Sequence, residues 1–288
     1  RLRCPCKREH KRNAAARWRG PRCSYHGSMT IPSHLFILTG HSRGLGLAMA
    51  QQLLQPGHTV VGMARHTSNA LQPPPGAHLE QWQLDLADGT QAAERLHHWL
   101  LQQGPGRYAS ASLINNAGVI PHIAPLGSLH GAQALAEQAR ALRVGLETPL
   151  LLCAVFLQAT RAWQVPRKVL NISSGLGRRP MGSQAAYCAA KAGMDHFTRC
   201  LALDEAAQPD GARVCSLAPG VIDTDMQVQL RSASAHDFPD APNFAQLQHA
   251  GMLSSAEQAA RQVLGWLQHP LFGSEPVADV RHLPPQPH

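Results

Sequence analysis

The chain has 288 residues, of which 44% are hydrophobic and 15% charged, which suits one α/β domain with a buried core and excludes a disordered protein. Its formal net charge of +8 would ordinarily suggest nucleic acid or an anionic membrane as partner. That implication fails: residues 1–28 hold nine of the 26 Lys and Arg and only Glu9 of the 18 acids, and the remaining 17 bases and 17 acids cancel.

The basic stretch RLRCPCKREHKRNAAARWRGPRCSYHGS has neither a period-2 nor a period-3.6 apolar pattern. It is expected to be a disordered leader upstream of a natural start at Met29, as read-through of upstream sequence or an appended extension. A transit peptide is the rival reading, since the segment is Arg-rich and acid-poor. Cys4, Cys6, His10, Cys23 and His26 match the spacing of no zinc module. Residues 29–288 are expected to form one domain, with no internal repeat or dividing linker.

From residue 34 onward, strands and helices alternate. Short apolar, β-branched runs predict strands at 34–39, 58–64, 79–86, 111–118, 167–174, 212–220 and 277–283. Helical patterns fill about 44–55, 90–103, 130–162, 187–208 and 255–268. Breaks fall at Pro56-Gly57, at Pro73-Pro74-Pro75-Gly76 and at Gly104-Pro105-Gly106. Such alternation predicts a Rossmann-like, doubly wound parallel sheet of about seven strands with helices on both faces. The longest apolar run, Pro149–Leu157, has nine residues, short of the roughly 18 of a membrane span.

The first strand leads into TGHSRGLG, with glycines at 40, 44 and 46. In a first βα turn, pyrophosphate would meet free backbone N–H groups and the positive end of the helix dipole. Gly40 allows the tight turn, Gly44 lets the backbone approach the phosphates, and Gly46 lets helix and strand pack closely. The second strand ends Met63-Ala64-Arg65-His66, without the acid that holds the ribose 2′-hydroxyl of NAD. Arg43 and Arg65 are instead suited to a 2′-phosphate, so NADP(H) is the expected cofactor.

The stretch NISSGLGRRPMGSQAAYCAAKAG places Tyr187 and Lys191 four apart on one helical face, with Ser174 thirteen residues upstream. With three Tyr and four Lys in the chain, a chance Y-x-x-x-K is expected only ~0.04 times. A phenol of pKa near 10 is a poor proton donor to a carbonyl at neutral pH unless a neighbouring charge lowers it. An ammonium at ~4 Å and an effective dielectric of 20 supplies about 4 kcal/mol of that attraction. Ser174 can hydrogen-bond a substrate oxygen as charge develops on it.

With these motifs in order, the chain resembles the short-chain dehydrogenase/reductase family over nearly all of residues 34–283. The matching elements are T-G-x-x-x-G-x-G at Thr39–Gly46, Asp85-Leu86, N-N-A-G at Asn115–Gly118, Ser174, Tyr187-x-x-x-Lys191, and Pro219-Gly220 followed by Thr224. The resemblance implies a catalytic set of Ser174, Tyr187 and Lys191. It implies a cofactor bound by Gly40, Ser42, Arg43, Gly44, Leu45, Gly46 and Arg65 at the turn and ribose. Asp85 and Leu86 would hold the adenine, and Asn116, Ala117 and Gly118 would line the cofactor and steady the sheet. Tyr187 and Lys191 would reach the nicotinamide ribose, and Pro219, Gly220, Val221 and Thr224 the carboxamide. One departure stands out. Where the family carries an Asn that completes a tetrad and holds a relay water, this chain aligns Gly145.

The segment PGVIDTDMQVQLRSASAHDFPDAPNFAQL resembles the branch that contains sepiapterin and benzil reductases, with a substrate loop at about 222–252. The implied activity is NADPH-dependent reduction of a ketone or of one carbonyl of a dicarbonyl, on a small-molecule substrate. The alternative is a catalytically weak dinucleotide-binding regulator that keeps the fold, for which Gly145 is the support. A homodimer or homotetramer is expected by resemblance; the apolar run at 149–157 lies on a helix that packs against a second subunit in that family, and burial against the sheet explains the run equally well. No nucleic acid, membrane or metal partner is expected: the seventeen histidines show no metal-binding spacing. Cys153, Cys188, Cys200 and Cys215 lie in apolar or helical contexts that suit a reducing, cytoplasmic setting.

Overall fold

The computed structural model describes residues 33–284, which belong to one compact unit. The expected leader, its cysteines and histidines, and Met29 lie outside the described residues. Seven parallel strands form one sheet in the order β3-β2-β1-β4-β5-β6-β7. They are β1 (His34–Thr39), β2 (His58–Ala64), β3 (His78–Gln83), β4 (Ser110–Asn115), β5 (Arg167–Ile172), β6 (Arg213–Ala218) and β7 (Val277–Asp279). The order reverses between β1 and β4, so the crevice of a doubly wound sheet opens at their carboxyl ends.

The central strands are apolar along their length because helices cover both faces. On one face, α1 (Gly44–Leu53) and α8 (Ala256–Gln268) bury Met49, Leu53, Val263 and Trp266. On the other, α2 (Gly89–Gln103) and α4 (Thr148–Thr160) bury Leu96, Leu100, Leu152 and Phe156. Local chemistry sets the helix ends. Asp88 caps α2 by accepting from Gln91 N at 3.0 Å. Ser255 and Gln258 form a reciprocal capping box on α8.

The long helical pattern at 130–162 proves to be three segments. α3 (Gly131–Leu142) passes through a π-helical turn at Arg143–Glu147 into α4. By length and composition the stretch Gly131–Trp163 could cross a membrane, but half of its most apolar window is buried within the protein. That burial explains its apolarity. α5 (Ala185–Ala206) runs beside it. The segment expected to be a loop at 222–252 carries two short helices, α6 (Asp225–Arg231) and α7 (Ala241–His249). They close over a small apolar cluster of Ile123, Leu230, Phe238 and Ala241. The last strand is shorter than its pattern, ending at Asp279 before a 3-10 turn at Val280–His282.

Phe156 is fully buried, whereas Leu101 on α2 is 59% exposed. Phe156→Ala should lower the unfolding free energy by about 3–5 kcal/mol in urea titration. Leu101→Ala should stay within about 0.5 kcal/mol of the parent.

Candidate active site

The carboxyl ends of β1 and β4 are tied by a side chain. The buried Thr39 hydroxyl accepts from the backbone N–H groups of Asn116 at 2.9 Å and Ala117 at 3.0 Å. Asn116 in return donates Nδ2 to the carbonyls of Thr39 at 3.1 Å and Gly40 at 3.3 Å. Gly40 adopts φ +72° and Gly44 φ +53°, in the left-handed region that favours glycine. A Cβ on Gly46 would collide with the Gly40 carbonyl oxygen. α1 starts at Gly44, and Arg43 before it makes no side-chain capping bond. The first N–H groups of α1 are thus available to an anion. This cradle fits the pyrophosphate of a dinucleotide, which Gly40, Ser42, Leu45 and Gly46 would hold.

One cleft of about 1080 Å³ runs across this crevice, and every site residue expected from the sequence lines it. Arg43, Arg65, Asp85 and Leu86 are among the lining residues. Arg43 pairs with Asp225 of α6 at 2.7 Å, both side chains being mostly exposed. Asp85 is gripped bidentately by Arg140 at 3.0 and 2.7 Å, and those bonds hold its carboxyl below the ordinary carboxylate range. The Leu86 carbonyl accepts from the Thr148 hydroxyl at 2.6 Å, which fixes the loop to α4. Ala117, Gly118, Pro219, Gly220, Val221 and Thr224 line the cleft as well. A Cβ on Gly118 would stand 3.7 Å from Lys191 Nζ, so the backbone after β4 faces that lysine.

Ser174 follows β5, while Tyr187 and Lys191 project from α5. The Ser174 oxygen accepts from Leu176 N at 3.2 Å. Tyr187 is buried, and its hydroxyl meets Met226 Sδ at 3.8 Å. Lys191 Nζ donates to the Ile172 carbonyl at 2.7 Å and stands 5.8 Å from the Tyr187 ring centroid. The lysine was expected to depress the phenol. The shift runs the other way: desolvation pushes Tyr187 up to about 12, and what opposes the rise is a hydrogen bond to Ser174, not the lysine. Desolvation also brings Lys191 down to about 8, and the Asp195 carboxylate opposes that fall.

Asp195, which the sequence reading passed over, lies one helical turn beyond Lys191 on the same face of α5. It is buried, accepts from the Ser216 hydroxyl at 2.6 Å, and lies 3.5 Å from Arg178 Nε. The i, i+4, i+8 spacing of Tyr187, Lys191 and Asp195 was the available signal. Steadying the sheet falls more to Asn115 than to its neighbours. Its side chain donates to Asn171 Oδ1 at 2.8 Å, and Asn171 donates to Thr198 at 2.9 Å, linking β4, β5 and α5. Gly145 lies in the π-helical turn, where a Cβ would stand 3.1 Å from the Ala190 Cβ. That approach is tight, so a side chain there requires Ala190 or its surroundings to yield by a few tenths of an ångström. Among the described residues no group of three His, Cys, Asp or Glu could hold a metal ion.

With this geometry in hand, the comparisons are specific. The family model described as short chain dehydrogenase matches residues 34–235. The chain is 32% identical over 239 residues to a Bacillus cereus benzil reductase ((S)-benzoin forming), covering 81% of this chain and 93% of that one. It is 31% identical over 249 residues to the Rattus norvegicus sepiapterin reductase, covering 83% and 92%. A crystal structure of a putative NAD(P)-dependent gluconate 5-dehydrogenase from Beutenbergia cavernae, with bound NADP, superposes with TM-score 0.67 at 25% identity, covering 87% and 96%.

Lys191 is charged below about pH 8 and neutral above it. Carbonyl reduction measured as kcat/KM should therefore be flat below that pH and fall above it. Asp195→Asn removes the anion favouring the charged lysine and should move the falling limb to lower pH. Ser216→Ala keeps the carboxylate and should leave the limb in place.

Proposed function

Because the chain belongs to the short-chain dehydrogenase family, we propose that it is an NADPH-dependent carbonyl reductase. Its substrate is a ketone, or one carbonyl of a dicarbonyl compound, as for the benzil and sepiapterin reductases to which it is similar. The observation that carries the reading is the convergence of Ser174, Tyr187 and Lys191 on the same cleft as the glycine cradle. A bound nicotinamide supplies the hydride to the carbonyl carbon. Tyr187, kept protonated by its burial, donates its proton to the carbonyl oxygen. The Ser174 hydroxyl donates to the same oxygen as negative charge builds on it. Lys191 stabilises the tyrosinate that is left. Met226, against the Tyr187 hydroxyl, covers that spot and must give way to substrate.

The preference for NADPH rests on Arg65 and Arg43, with no acid at the end of β2. The Arg43–Asp225 pair is exposed and worth about 0–1 kcal/mol, so Arg43 can exchange that carboxylate for a phosphate at little cost. A reducing compartment suits the four unpaired cysteines among the described residues. An oligomer formed through the flank of α4, where Leu150 is 45% exposed, completes the reading. Nothing in the relatives favours a non-catalytic regulator.

Tyr187→Phe tests the proton donor. It should cut kcat for NADPH oxidation with a diketone at least about 100-fold, while NADPH still binds. Activity within a few-fold of the parent would remove Tyr187 from that role.

A further inference from the structure

His41, inside the glycine turn, is fully buried and lines no part of the cleft. Its ring lies over Gly62 in the middle of β2, where a Cβ would stand 2.5 Å from the imidazole Cγ. Glycine in a strand interior weakens the strand and marks a close approach, and here the ring occupies the space. Across β2, His41 Nε2 meets Gln81 Oε1 of β3 at 2.9 Å, Gly62 and Gln81 being register partners. Gln81 also holds Ser68 at both backbone groups: Oε1 accepts from Ser68 N at 2.7 Å, and Nε2 donates to Ser68 O at 3.2 Å. Those two bonds fix the orientation of the Gln81 amide, so His41 carries its proton on Nε2 as the donor. Nδ1 is buried without a hydrogen-bond partner. Desolvation lowers the pKa of the ring, which favours this neutral form.

Ser68 lies three residues after Arg65 in the loop that follows β2, and that loop begins with Arg65 and His66, both lining the cleft. One buried ring thus joins the turn that cradles pyrophosphate to the loop that carries the ribose-side arginine. We propose that His41 is a positioning residue for cofactor choice: through Gln81 and Ser68 it sets the loop of Arg65 relative to the phosphate turn. The inference rests on the reading of Arg65 as a 2′-phosphate ligand. A ring that only propped the turn would affect the pyrophosphate common to both cofactors. A ring that places Arg65 affects the one that carries the extra phosphate.

The experiment measures Kd for NADPH and for NADH, by calorimetry without substrate, with a thermal melt of each variant. Arg65→Ala should weaken NADPH at least tenfold and NADH less than threefold. His41→Ala and Gln81→Leu should reproduce that selective loss in smaller measure, and the double variant should lose less than the product of the two. His41→Gln, which can return an N–H to Gln81, should recover most of the NADPH affinity. If Arg65→Ala discriminates but His41→Ala weakens both cofactors alike, the positioning role is wrong and the reading of Arg65 stands. If Arg65→Ala does not discriminate, that reading falls and takes the inference with it. Should His41→Ala fail to fold, Gln81→Leu keeps the ring and decides between the same outcomes.

Discussion

The site depends on one hydroxyl. Thr39 Oγ, accepting two consecutive backbone N–H groups from Asn116 and Ala117, holds the ends of β1 and β4 together where the chain departs to opposite faces of the sheet. Those N–H groups lie beyond the last ladder position of β4 and would otherwise be unpaired in a partly buried place. Once the strand ends are clasped, the Gly40 carbonyl presses on Gly46, and no side chain larger than hydrogen fits there. The glycine pattern is therefore a packing consequence of the clasp as much as a phosphate-binding device. The open N-terminus of α1 and the cleft beside it follow from the same constraint.

Burial then sets the chemistry. Tyr187 and Lys191 share the interior side of α5, and desolvation acts on them in opposite senses, favouring the neutral form of each. For the tyrosine this keeps the proton in place. For the lysine it works against the charge that the proposed proton transfer calls for. Asp195, one turn further along and held by Ser216, restores part of that charge. The Ser174 loop is brought close over this group by Gly177, where a Cβ would stand 2.9 Å from Asp195 Oδ2. The loop carrying Ser174 and the helix carrying Tyr187 are thus fitted to each other.

Much of this was legible in the sequence because it is periodic or local. Seven apolar runs separated by helical patterns fix the sheet, and the glycine turn, Ser174, Tyr187 and Lys191 occupy short motifs with few chance matches. What escaped depends on distant partners. His41 and Gln81 are 40 residues apart, Asp85 and Arg140 are 55 apart, and nothing local in either segment announces the other. α6 and α7 were missed for a different reason. They are seven and nine residues long, too short for a convincing period, and α7 follows Asp240 with a proline at its start. The π-helical turn escaped because it sits inside an otherwise continuous helical pattern, with no local break to mark it.

In the proposed reaction this cleft completes a hydride and proton transfer to a carbonyl. The direct measurement is to incubate the unmodified protein with benzil and NADPH deuterated at the transferable position, then analyse the product by mass spectrometry. The expected product is a hydroxyketone with one deuterium on the new carbinol carbon, with one NADPH consumed per molecule formed. Tight NADPH binding with no labelled product, from benzil and from a panel of other diketones and ketones, would contradict it.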